Sequence, residues 1–106
     1  MPQRRITVEE VLEAYRVTGM KPVQGNFFRS DGCCCAIGAV AISRGTPRTS
    51  EGVCGWAETM LHAAYLDGFI GGFDGAVREE SLGVEHDQGY ADGTAVREAV
   101  FGKQGA

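Results

Sequence analysis

The chain has 106 residues, 43% of them hydrophobic and 23% charged, with a formal net charge of −4. That length supports one hydrophobic core, and the mix of apolar and charged residues excludes a disordered chain. An acidic balance argues against nucleic acid as a partner, because such binding rests on cations that neutralise phosphates. The length predicts a single domain over 1–106, and the apolar patterns along the chain predict it to be helical, all-α, built as a compact bundle of about four helices.

The first ten residues contain no apolar stretch, so no signal peptide is expected. The longest apolar run, Cys33 to Ile42, is too short to span a bilayer, for which about 20 residues are needed. No membrane association is expected. A cytoplasmic location follows, with the four cysteines reduced. The charge is unevenly spread: residues 1–50 carry net +3 and residues 51–106 net −7. Such a split favours self-association, so a homo-oligomer, a homodimer in particular, or another protein is the expected partner.

Helix 7–18 is the clearest local pattern. Thr7 is a good N-cap and Glu10 stands three residues later, as in a capping box. Ile6 and Val11 occupy the two staple positions, and Val8, Val11, Leu12 and Tyr15 form one apolar stripe. Gly19 suits the left-handed C′ position and Pro22 prevents continuation. Residues 20–32 read as a connecting loop that contains the adjacent aromatics Phe27 and Phe28.

"DGCCCAIGAVAIS", residues 31–43, follows. With Ser30 or Asp31 as cap, 33–43 forms a short helix with no polar face, which places it at the centre of the bundle. Alanine and glycine content argues against a strand here. After a polar linker over 44–52, a third helix begins near Ser50. Its apolar positions Val53, Trp56, Ala57, Met60, Leu61, Ala64, Tyr65, Phe69 and Phe73 keep the helical period to about Asp74. The expectation is a continuous or kinked helix, with Gly68 as the alternative break point and Gly75 as the stop. A polar connection over 78–87 leads to a last helix over 87–101. "AYLDGF" and "GYADGT" share Tyr-x-Asp-Gly, a single short echo too slight to mark a repeat.

Glycine is the compositional outlier, with 16 residues. Each glycine inside a helix costs about 1 kcal/mol relative to alanine. Gly68 and Gly72 on the third helix, and Gly89 and Gly93 on the last, repeat at four-residue spacing. A close backbone approach between these two helices would offset the loss.

Three chemistries compete with plain packing. For metal, successive helical residues point about 100° apart, so Cys33, Cys34 and Cys35 cannot share one ion. Cys54, Glu58 and His62, at i, i+4 and i+8, form the weak alternative set. For a nucleophile, Cys33 and Cys34 lie in the first predicted turn, where the helix dipole favours a thiolate. Glu58 could orient His62 toward them, which gives a cysteine-dependent enzyme or thiol sensor as the runner-up function. Asp67, Asp74, Asp87 and Asp92 allow a third class, an acidic inhibitor that blocks a nucleic-acid-binding protein. Free cysteine, however, commonly packs as a small hydrophobe, and no cofactor motif is present. The expected function is a protein-interaction module without catalysis. Phe28, Trp56, Phe69, Phe73 and Phe101 exceed what so small a core needs. Phe28, Trp56, Phe69 and Phe73 are the candidate interface residues.

Overall fold

A computed structural model describes residues 4–77 and 80–102. Among them are five helices and one two-residue parallel bridge: α1 Val8–Thr18, β1 Lys21–Pro22, β2 Cys33–Cys34, α2 Ala36–Ser43, α3 Ser50–Met60, α4 Ala63–Asp74 and α5 Val84–Phe101. The fold is all-α. No described helix is long and apolar enough to cross a membrane.

α1 forms where local chemistry places it. The Thr7 side chain accepts from the Glu10 N–H, and Gly19 ends the helix at φ 71°. The second half of the capping box is replaced by a tertiary contact: the Glu10 carboxylate accepts from Arg4 and Arg44. Ile6 and Val11 are both buried, as the staple requires.

The central helix is shorter than the apolar run that announces it. α2 starts at Ala36, because Cys33 and Cys34 are extended and pair with Lys21 and Pro22. Neither Ser30 nor Asp31 caps it: Cys35 is the N-cap residue, and Asp31 pairs with Arg29. The reason is backbone satisfaction. Cys34 is fully buried, so its carbonyl needs a partner, and it receives both the Val23 N–H and the Tyr15 hydroxyl. Every residue from Ala36 to Ile42 is buried, which makes α2 the centre of the core.

The expected single helix over 50–74 is two. The break lies at Leu61–His62, both in extended conformation, and not at Gly68. Leu61 turns inward into the core, while the His62 ring caps α4 by accepting from the Ala64 N–H at 3.1 Å. α4 stops at Gly75, φ 81°. α5 begins at Val84, three residues before the expected start, after Gly83 at φ 108°.

α4 and α5 run parallel along a glycine seam. A methyl group at Gly68 would lie 2.1 Å from the His86 carbonyl oxygen, and one at Gly72 would lie 2.3 Å from that of Tyr90. Reciprocally, a methyl at Gly89 would lie 2.1 Å from the Tyr65 oxygen, and one at Gly93 would lie 2.2 Å from that of Phe69. Contact partners rise together along both helices, which defines the parallel sense. A glycine hydrogen points at each of these carbonyls, the arrangement of a Cα–H···O contact. The echo Tyr-x-Asp-Gly is not used twice in the same way. The Tyr65 hydroxyl donates to Asp92, whereas that of Tyr90 donates to the Ala76 carbonyl.

Candidate functional site

The three adjacent cysteines end in three environments. Cys33 is partly exposed on β2, Cys34 is fully enclosed, and Cys35 sits at the start of α2 with 7% of its surface exposed. Burial, with further repulsion from Cys35 and Cys33, pushes the Cys34 thiol up to about 12. Burial also pushes Cys35 up to about 11, against the opposing pull of the Gly38 and Ile37 N–H groups at the helix start. Desolvation outweighs the helix terminus here, so both groups are neutral thiols at physiological pH.

The remaining members of the proposed thiol and metal sets have other partners. The Cys54 Sγ donates to the Glu58 carboxylate at 3.3 Å, which raises the Cys54 thiol further. His62 falls at the break between α3 and α4, so it leaves the stripe that Cys54 and Glu58 share, and its Nδ1 is engaged as the α4 cap. Among the described residues no three His, Cys, Asp or Glu side chains gather as a metal-binding group. The Glu58 carboxylate is turned to Cys54 and not to His62.

The aromatic residues divide. Phe69 and Phe73, expected at an interface, are each 1% exposed and stack on each other with centroids 6.4 Å apart. They belong to the core of the single chain, where they share one side of α4 with Phe27, Cys35 and Ile37. Phe28 and Trp56 are half-buried, and Trp56 carries the Arg4 guanidinium 5.4 Å from its ring centre. Phe101 remains partly exposed against Phe73.

Two features have no short-range signature in the chain. One is a strap formed by the N-terminal segment. Arg5 makes a two-pronged contact with Asp92 at 3.0 and 2.9 Å, and the Tyr65 hydroxyl donates to the same carboxylate at 2.5 Å. The Tyr65 oxygen in turn accepts from the Ile6 N–H at 2.8 Å. Burial alone would push the Asp92 carboxyl up, but the bonds from Arg5 and Tyr65 hold it below its ordinary value. The other is a pocket of about 110 Å³ between the 25–27 loop, the start of α2 and α4. Phe27, Cys35, Ile37, Phe69, Ile70 and Phe73 form its apolar wall. Cys35, Phe69 and Phe73 were each visible in the sequence, but only the fold turns them toward one space.

No family model, curated protein or solved structure matches the chain.

Proposed function

We propose that the protein is a cytoplasmic protein-interaction module without catalysis, and that it self-associates. The observation that carries this reading is the set of large apolar side chains left at the surface of the α4–α5 connection. Val77 is 87% exposed, Leu82 58% and Val84 83%. Ordinary surfaces carry scattered apolar residues, but three within eight positions flanking one connection form a segment suited to burial against a partner. The charge split between the two halves of the chain adds an electrostatic bias toward pairing unlike halves. Of the groups that a thiol enzyme would need, Cys33 is partly exposed, but Cys34 is enclosed, Glu58 pairs with Cys54 and the His62 Nδ1 caps α4, which supports the non-catalytic reading.

Sedimentation velocity over a range of concentrations and salt tests this. The native chain is expected to exceed its monomer mass of 11.3 kDa as concentration rises, less so in high salt. The double variant Val77→Asp, Val84→Asp is expected to stay monomeric at every concentration with an unchanged circular-dichroism spectrum. A native chain that remains monomeric throughout would reject self-association.

A further inference from the structure

We propose that the pocket between the 25–27 loop, the start of α2 and α4 is a binding site for one compact, uncharged apolar molecule, such as a small aromatic or branched alkyl compound. Size sets the first limit. At about 110 Å³ the pocket is well below the roughly 300–1,000 Å³ of cofactor and drug-sized sites. It is close to the roughly 150 Å³ of an engineered apolar cavity that stays dry and takes benzene. The ligand is therefore about one ring in size.

The pocket is propped open by contacts on several sides of its loop. The Cys35 N–H donates to the Asn26 carbonyl at 2.9 Å, and the Gly25 N–H donates to Asp74 at 3.0 Å. The Gln24 amide donates to the Phe73 carbonyl at 2.8 Å. The Phe27 carbonyl presses so closely on Gly38 that a methyl group there would lie 2.0 Å from its oxygen. These ties anchor the loop to α4 on one side and to α2 on the other. The loop cannot fall into the space without breaking them, so the site is formed before any ligand arrives.

The lining chemistry selects the ligand class. Phe27, Ile37, Phe69, Ile70 and Phe73 offer apolar surface, and the neutral Cys35 sulfur is a soft contact for a ring edge. At the rim, the Gly25 N–H and the Asn26 C=O already have partners within the chain, so a polar ligand gains little from this backbone. Asp74 at the rim opposes an anion.

The test is an amide chemical-shift titration of the full chain with benzene, and with benzoate as the anionic counterpart. Benzene is expected to give saturable shifts centred on Phe27, Cys35 and Ile70, with benzoate at least tenfold weaker. Ile70→Trp, which fills the pocket from a partly exposed position, is expected to abolish the benzene shifts. Ile70→Val, which enlarges it, is expected to move the preference from benzene toward toluene. The Ile70→Val arm keeps the test decisive if Ile70→Trp disturbs folding. Absence of saturation, shifts scattered away from the lining, or equal binding by Ile70→Trp in a folded protein would each overturn the proposal. So would a pocket that responds only on self-association, because its occupant would then be a side chain of a second copy.

Discussion

The central helix α2 and the α4–α5 pair solve the same packing problem by different means. α2 is apolar on every side, and its core contacts surround it. α4 and α5 meet along one seam where four glycines admit the opposing backbone. Both use glycine against a carbonyl oxygen, but the carbonyl differs. Gly38 of α2 faces a loop, through Phe27, while the seam glycines face carbonyls fixed inside helices. The Phe27 carbonyl sits in a loop that is tied to α2 and α4, and at 2.0 Å from a methyl group on Gly38 it is the nearest of these five oxygens. Both approaches are therefore expected to be closed to a side chain.

Alanine at the seam should break the molecule first. Gly72→Ala and Gly93→Ala put a methyl group within 2.3 Å of a backbone oxygen that no rotamer change can relieve. Each should lower stability by about 3 kcal/mol, the upper end for overpacking, read by urea denaturation. Gly38→Ala should cost as much, because its methyl group would lie 2.0 Å from a carbonyl of a loop that is held to both α2 and α4. It should also disturb amide shifts around the pocket. A loss at Gly38 well below the other two would show that the loop gives way where the helices do not.

The strap provides the next test. Tyr65→Phe removes the donor to Asp92 and leaves the buried Ile6 N–H without its acceptor. A loss of about 2 kcal/mol is expected, the cost of an unsatisfied buried group. The depressed Asp92 carboxyl stabilises the fold above its ordinary value of 3.8, and that contribution fades as pH falls through the folded value. An acid titration of Tyr65→Phe and of Arg5→Gln should therefore show a shallower decline than the native chain.

Two glycines should behave in the opposite way. A methyl group at Gly55 of α3 meets nothing within 4 Å, and at Gly71 of α4 its nearest neighbour is a ring carbon at 3.9 Å. Both substitutions to alanine should raise stability by up to about 1 kcal/mol through helix propensity. Gly71→Ala beside Gly72→Ala then gives opposite signs at adjacent positions. If both lower the melting temperature, the seam is not the cause.

The smallest effect expected is at the thiols. Cys34 is raised from 9.0 to about 12, so the neutral form is favoured by folding and its stabilisation is complete below pH 9. It is lost as pH rises through that interval, and Cys34→Ala should reduce the alkaline slope. With a thiol reagent at pH 8, Cys33 and Cys54 should react first and Cys34 last. Prompt labelling of Cys34 in the native state would contradict its enclosure.

What the sequence alone determined about this protein is what depends on neighbours along the chain. The limits of α1 follow from Thr7 and Gly19, which act over three or four residues. The central place of α2 follows from a run with no polar face, and the spacing of Gly68, Gly72, Gly89 and Gly93 announced a close approach. Tertiary structure alone decided the rest. Periodicity continues through Leu61 and His62, so only the burial of Leu61 and the His62 cap reveal that the helix divides there. The extended form of Cys33 and Cys34 depends on a partner strand twelve residues earlier. The strap joins side chains 87 positions apart, Arg5 and Asp92, and the pocket draws its wall from the 25–27 loop, α2 and α4. The parallel sense of α4 and α5 is likewise decided by how whole helices fit. Short-range preferences bias each backbone segment, but which side chains meet across the fold is set by close packing of surfaces that no local pattern encodes.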